Sequence, residues 1–167
     1  MKKILIIYFS LTGNTKLVSG TLAKTLNAKL TEIKEVPSRN LISAYISIVK
    51  DKLNKQEITI SPEKIDLTLF THIIIGTPVW TRRAVPAIRI FLGKTDFSNK
   101  KVILFTTQRL TKQNAIIEMK QIVEKNSGEV IFTFSINTLL FKKFIKKRTE
   151  KISKEILAIL RGLQCKN

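Results

Sequence analysis

Ser10, Leu11, Thr12, Gly13, Asn14 and Thr15 place three hydroxyls, a carboxamide and a glycine in one short stretch, directly after the apolar run Ile4 to Phe9. Residues of these types suit an anion. A helix that begins here leaves main-chain N–H groups without partners and carries the positive end of its dipole, so a phosphate binds without a cationic side chain. Gly13 permits the backbone conformation in which several N–H groups converge, and the hydroxyls add donors around them. Ordinary N-capping needs only one such side chain, and this stretch offers several. The patterns GxxxxGK[ST] and GxGxxG are both absent, since the only glycines are Gly13, Gly20, Gly76, Gly93, Gly128 and Gly162. That argues against a nucleoside triphosphate or a dinucleotide held by a glycine fingerprint.

Two further stretches follow apolar runs in the same way. Gly76-Thr77-Pro78-Val79-Trp80-Thr81-Arg82-Arg83 carries the only tryptophan past a strand end, where its ring either covers a planar heterocycle or packs as an anchor on the next helix. Thr106-Thr107-Gln108-Arg109-Leu110-Thr111-Lys112-Gln113-Asn114 offers hydrogen-bonding side chains and no glycine. Other chemistries find little support. The sole histidine, His72, precedes a strand rather than following one, which argues against a Cys–His or Ser–His–Asp device. The three aspartates, Asp51, Asp66 and Asp96, end no predicted strand, and the single cysteine, Cys165, gives neither a disulfide framework nor a metal-ligand spacing. No catalytic acid, base, nucleophile or metal ligand is expected. Lys16 reads as a solvated first-turn lysine.

The elements that position these turns follow from hydrophobic periodicity. Ile4 to Phe9, Ile73 to Ile75, Val102 to Phe105 and Val130 to Phe134 are short, nearly continuous apolar runs, as expected of parallel strands covered on both faces. Between them, apolar residues recur every three or four positions: Val18, Leu22 and Leu26; Val85, Ile88 and Leu92; Ile116, Met119 and Val123; Ile145, Ile152, Ile156 and Leu163 among them. Leu30 to Val36 reads as a weaker strand, about 41–53 as another helix, and Glu57 to Thr71 as a loop around Pro62. The alternation predicts a doubly wound α/β sheet of five parallel strands with helices on both faces. In such a sheet a ligand sits outside the carboxyl ends of the strands, and all three polar stretches lie there.

Length and composition set the outer limits. A chain of 167 residues that is 44% hydrophobic suffices for one domain, expected to span residues 1–167. With no apolar run of about 18 residues, a cytoplasmic location is the expectation. The net charge is +18, from 30 Lys and Arg against 12 Asp and Glu, and lysines scatter along the whole chain. The densest basic block is Lys142, Lys143, Lys146, Lys147 and Arg148, with Phe144 and Ile145 inside it. It reads as the solvated face of an amphipathic helix or, less favoured, as a patch for an acidic protein, nucleic acid or anionic membrane.

Ser10-Leu11-Thr12-Gly13-Asn14-Thr15 resembles the [ST]-x-T-G-N-T phosphate loop of flavodoxins, and Gly76 to Trp80 with the following Pro-Ala-Ile and Phe-Leu is similar to the third-strand segment of flavodoxin-like redox proteins. The resemblance extends over roughly the first two thirds of the chain. It implies the flavodoxin-like strand order 2-1-3-4-5 and a non-covalently bound FMN. By position, Ser10, Leu11, Thr12, Gly13, Asn14 and Thr15 would hold the phosphate. Thr77 and Pro78 would meet the ribityl and ring region, Val79 or Trp80 would flank the ring, and Thr106, Thr107 and Gln108 would reach its edge. It further implies electron transfer to a redox partner protein, here one with an acidic surface, with an NAD(P)H-dependent flavin or quinone reductase as the alternative role and NAD(P)H or quinone as its reactants; a second alternative is a non-redox binding module that keeps the scaffold and uses its basic surface for an acidic partner. The chain departs from the family in its basic charge, with Arg82, Arg83, Arg109 and Lys112 beside the expected ring loops, and in its glycine-free fourth loop, which leaves one face of the ring open.

Overall fold

A computed structural model describes residues 3–36, 58–109, 114–139 and 141–162. The expected helix at about 41–53, residues 110–113 of the fourth loop and Cys165 lie outside the described residues. Strands are β1 (Ile4–Tyr8), β2 (Lys29–Glu32), β3 (Lys34–Val36), β4 (Thr59–Ser61), β5 (His72–Trp80), β6 (Arg83–Ala84), β7 (Lys101–Gln108) and β8 (Glu129–Asn137). The helices among the described residues are α1 (Asn14–Leu26), α2 (Pro86–Lys94), α3 (Ala115–Lys125) and α4 (Lys142–Gly162).

The main sheet runs β2-β1-β5-β7-β8, all parallel, which is the expected order 2-1-3-4-5. The central strands β1, β5 and β7 are apolar on both faces because both are covered. On one face α1 and α4 bring Val18, Leu22, Ile145, Ile152 and Ile156 against Ile6, Ile74, Ile103 and Phe105. On the other, α2 and α3 bring Ile88, Phe91, Leu92, Met119 and Val123 against Leu5, Ile7, Ile73, Ile75 and Leu104. Each helix has a local reason to begin or end where it does. Pro86 sits at the first position of α2, where its missing N–H costs nothing, and Asn27 ends α1 in the left-handed region (φ 49°) with its N–H donated to the Ala23 carbonyl.

Three features differ from the sequence expectations. Leu30 to Val36 is not one strand: Ile33 is buried, its N–H donates to the Tyr8 carbonyl at 2.7 Å, and the chain then leaves the main sheet. Past that point β3 pairs antiparallel with β4, so the segment read as a loop around Pro62 contains a strand. Finally, the third and fourth strands do not stop at Ile75 and Phe105: the fourth takes in Thr106, Thr107 and Gln108, which were expected in a loop, and the third continues through Pro78 to Trp80. Proline is tolerated there because β1 has ended. The Gly76 carbonyl accepts from Phe9 N–H, so strand alternation aims the Pro78 nitrogen to that same side, beyond the last rung, where no donor is required.

Gly76 shows how tightly this end of the sheet is packed, since a Cβ at that position would overlap the Phe105 ring. Phe105 in turn stacks on Phe134, with centroids 5.2 Å apart and planes 8° from parallel. Gly76→Ala is therefore expected to destabilise the fold by about 1–3 kcal/mol through overpacking. Adding Phe105→Leu should restore part of that loss, as read by thermal melting. An unchanged melting temperature for Gly76→Ala would contradict the close approach.

Candidate functional site

The site is built on the level ends of three strands. Tyr8 of β1, Gly76 of β5 and Phe105 of β7 lie side by side in the ladder, so the segments that follow them emerge at one edge. Phe9, which closes β1, meets Trp80 edge-on at 5.7 Å, and this contact draws the first and third segments together. Trp80 is thus partly occupied as an anchor against the α2/α3 core, and it remains half-exposed.

The first segment is open at the start of α1. Gly13 caps the helix at φ 85°, a conformation that L side chains rarely adopt, and as a glycine it offers no side-chain cap of its own. Ser10 Oγ accepts from Lys16 N–H at 3.2 Å and Asn14 Nδ2 lies 3.5 Å from Thr12 Oγ1. Among the described residues, no acceptor meets the N–H groups of Thr12, Gly13 and Asn14. These donors therefore point at a space suited to an anion. Thr15 is different: it is buried, and its hydroxyl shares a hydrogen bond of 2.7 Å with Thr107 at the end of β7. Lys16 is exposed, as expected.

The second and third segments divide into side chains turned inward and side chains left available. Thr77 is fully buried, donating to the Pro78 carbonyl at 2.9 Å and accepting from Val85 N–H at 3.3 Å. Thr106 is also buried, its hydroxyl 2.8 Å from Ser135 Oγ. Pro78 and Val79 are half-buried. Gln108 ends β7 with its carbonyl accepting from Thr138 N–H at 2.8 Å, and its side-chain Oε1 is buried with no hydrogen-bond partner among the described residues. A buried, unpaired amide oxygen costs about 1–3 kcal/mol, so it marks a place where a donor belongs.

After Trp80 the chain turns at once. Thr81 and Arg82 both take positive φ (47° and 70°), and β6 folds back antiparallel on β5 with Trp80 opposite Arg83. Primed turns of this kind favour glycine or asparagine, so a threonine and an arginine are held here against their preference. Glu118 on α3 supplies the hold. Its Oε1 accepts from Arg83 Nη2 at 2.6 Å and Arg83 Nε at 3.1 Å and forms an ion pair with Arg89 Nε at 3.0 Å, and its Oε2 accepts from Ala84 N–H at 3.4 Å. Sequence reasoning counted Arg83 among free cations and passed over Glu118. A usable signal existed: between Asp96 and Glu124, Glu118 is the only acidic residue in a strongly basic chain. Of the four cations expected beside the ring loops, Arg83 is ion-paired, Arg82 and Arg109 are exposed, and Lys112 lies outside the described residues.

Tyr8 is the one titratable group at this edge with a large shift. Burial, then the charge of Glu32 and a hydrogen bond to it, push its pKa up to about 12, so it stays neutral and does no acid–base work near neutral pH. His72 begins β5 at the opposite, amino end of the sheet, with Nδ1 2.9 Å from Thr71 Oγ1, as the sequence implied. Among the described residues no group of His, Cys, Asp and Glu is placed to hold a metal ion. A groove of about 1050 Å³ starts at Gly13 and Lys16 and runs between α1 and α4, and another of about 640 Å³ lies between β8 and α4. Neither is lined by residues 77–80 or 106–108.

A family model described as Flavodoxin matches residues 3–133. No curated protein sequence matches the chain. Solved structures do. A protein of Bacteroides uniformis provisionally named a flavoprotein is 23% identical, with a TM-score of 0.72 over 87% of this chain and 96% of its own. A flavoprotein of Lactobacillus acidophilus in complex with FMN is 22% identical, with a TM-score of 0.65 over 81% and 93%. A Fusobacterium nucleatum flavodoxin bound to flavin mononucleotide is 18% identical, with a TM-score of 0.57 over 95% and 98%. At these identities the likeness is one of fold.

Glu118→Gln removes the charge that pairs two guanidinium groups but keeps the shape. It is expected to destabilise the protein by about 1–3 kcal/mol and to expose the hairpin to protease at Arg82 or Arg83. Limited tryptic digestion and melting of the variant check this, and cleavage no faster than in the parent would show that Glu118 does not hold the turn.

Proposed function

The chain belongs to the flavodoxin family, and on that premise we propose that it is a cytoplasmic electron carrier, folded as one domain, that binds FMN non-covalently at the carboxyl ends of β1, β5 and β7. The observation that carries this reading is the start of α1, where Gly13 turns the chain so that the N–H groups of Thr12, Gly13 and Asn14 remain without acceptors. Those donors, with the side chains of Ser10, Thr12 and Asn14 and the main chain of Leu11 and Thr15 around them, fit the phosphate of FMN, while the Thr15 hydroxyl is held by Thr107. The unpaired Gln108 Oε1 fits a ring N–H at the opposite side of the crevice.

Bound FMN supplies one- and two-electron chemistry, and the chain supplies position and field. Val79 and Trp80 would flank the ring and keep water from one face, with Pro78 beneath the ribityl chain. Thr77, Thr106 and Thr107 already spend their hydroxyls on Val85, Ser135 and Thr15. Their side chains therefore hold the strand ends in place, and any contact they make with the flavin passes through the main chain. A redox partner with an acidic surface suits the positive charge of the protein.

FMN fluorescence should be quenched on titration with the protein. Gly13→Ala forces a side chain into left-handed backbone at a cost of about 1–2 kcal/mol and is expected to weaken uptake about 5- to 30-fold. A protein that leaves FMN fluorescence unchanged would end this reading.

The basic rim also sets a direction for the potential. A unit charge about 10 Å from a reduced ring, at an effective dielectric of about 40, is worth about 0.8 kcal/mol, or about 35 mV for one electron. Arg83 contributes little of this because Glu118 pairs it. Arg82→Gln should lower the second reduction potential by about 35 mV in dilute buffer and by less in high salt, as followed by spectroelectrochemical titration. A potential that does not move in either buffer would remove Arg82 from the field at the ring.

A further inference from the structure

The family match ends at residue 133, before α4 begins. The inward face of α4 is committed to the core through Ile145, Ile152, Ile156 and Leu160. Its opposite face is cationic: Lys142, Lys143, Lys146, Lys147, Arg148 and Lys151 are all exposed, and the first carboxylate along the helix is Glu150. Large apolar side chains stand in solvent beside these charges, Leu139 at 62% exposure, Phe141 at 81% and Phe144 at 55%. Seven large hydrophobic residues are exposed among the described residues, and three of them fall in this one short segment, which marks it as a patch rather than scatter.

The local geometry keeps the apolar groups together. The Asn137 side chain accepts from Leu139 N–H at 2.8 Å, and the Phe141 carbonyl accepts from Phe144 N–H at 2.8 Å, which makes Phe141 the residue that opens α4. Phe141 thus stands just before α4 and Phe144 in its first turn. Phe144 also borders the groove whose wall is formed by Phe132 and Phe134 and whose lip carries Lys147 and Lys151.

We propose that this end of α4 docks the protein on an anionic lipid bilayer, with Phe141 and Phe144 entering the interfacial layer and the lysines lying over the lipid phosphates. Charge complementarity sets the sign of the partner, and the residue types set its class. Protein interfaces are depleted in lysine and enriched in arginine, and nucleic-acid platforms rely on arginine forks and stacked bases. Here a single Arg148 stands among the lysines, and lysine is a hydrated point charge suited to diffuse attraction by headgroups. Basic and aromatic residues together on one surface helix are the signature of interfacial binding. No helix among the described residues is long and apolar enough to cross a membrane, so the contact is peripheral. This inference stands apart from the flavin reading.

The test is co-sedimentation of the full chain with vesicles of phosphatidylcholine alone and of phosphatidylcholine mixed with phosphatidylglycerol. Binding is expected only to the mixed vesicles and is expected to weaken as salt is raised. With each lysine worth about fivefold, Lys143→Ser/Lys147→Ser should weaken it about thirty-fold. Phe141→Ser/Phe144→Ser should weaken it about tenfold or more while leaving its dependence on salt unchanged. All four side chains are exposed, so circular dichroism should match the parent. The proposal is overturned by absence of binding to mixed vesicles in dilute buffer, by equal binding to neutral vesicles, or by phenylalanine variants that bind as the parent does. Displacement from mixed vesicles by polyuridylate or by an acidic protein at lower concentration than by free phosphatidylglycerol vesicles would overturn it as well, in favour of that partner.

Discussion

The level register of β1, β5 and β7 is the constraint on which the rest of the structure depends. Because Tyr8, Gly76 and Phe105 share one row, three unrelated stretches of chain leave the sheet at one place. That row is possible only with glycine in the middle, since the Phe105 ring fills the space a side chain at position 76 would need. The hydroxyl bond from Thr15 to Thr107 then ties the start of α1 to the end of β7, so the open N-terminus of the helix is fixed relative to the far side of the crevice. A site that must hold a phosphate at one end and a ring at the other gains from this directly, because less ordering remains to be done on binding.

Glu118 extends the same constraint to the third segment. A turn of Thr81 and Arg82 with two positive φ angles is not one these residues would choose alone. One carboxylate, accepting from Arg83 and the main chain of Ala84 and ion-paired with Arg89, holds it against α3. The fold therefore spends one of its few acids on a conformational task at the edge of the site. The electrostatic consequence is equally specific. Arg83 is withdrawn from the field over the crevice, and of the arginines expected there Arg82 and Arg109 remain exposed among the described residues.

Patterns that depend on local sequence were legible; those that depend on partners were not. Continuous apolar runs and three-to-four spacing gave the strands and the helix faces, because a strand covered on both sides and an amphipathic helix each leave a periodic trace, whereas the strand order came from the resemblance carried by Ser10 to Thr15 and Gly76 to Trp80. The Ser10 to Thr15 stretch was legible as an open helix start for the same reason. The extension of β5 through Pro78 was not, because it turns on where β1 ends, and neither was the β3 and β4 pair, whose strands are short and distant in sequence. Thr77, Thr106 and Thr107 stood out as donors, yet which atoms they serve is settled by neighbours such as Val85 and Ser135. The stripe Ile145, Ile152 and Ile156 read from the spacing does face the core, whereas the exposure of Phe141 and Phe144 depends on where the chain enters α4 and leaves no periodic trace.

The positive charge of the chain is thus better viewed as two distributions than as one. At the crevice, of the cations among the described residues, Arg83 is paired with Glu118 while Arg82 and Arg109 are exposed. Along α4 they are many, mostly lysine, and accompanied by exposed phenyl rings, while β8 beside them is the outermost strand of the sheet. Charges at such exposed positions fall off over a Debye length of about 8 Å in physiological salt, and on the α1 side Lys142, Lys146 and Lys147 line the groove that starts at Gly13 and Lys16. Net charge alone predicts affinity for anything acidic. Its division, with ion pairing at one place and apolar groups beside it at another, is what gives each surface its own chemistry.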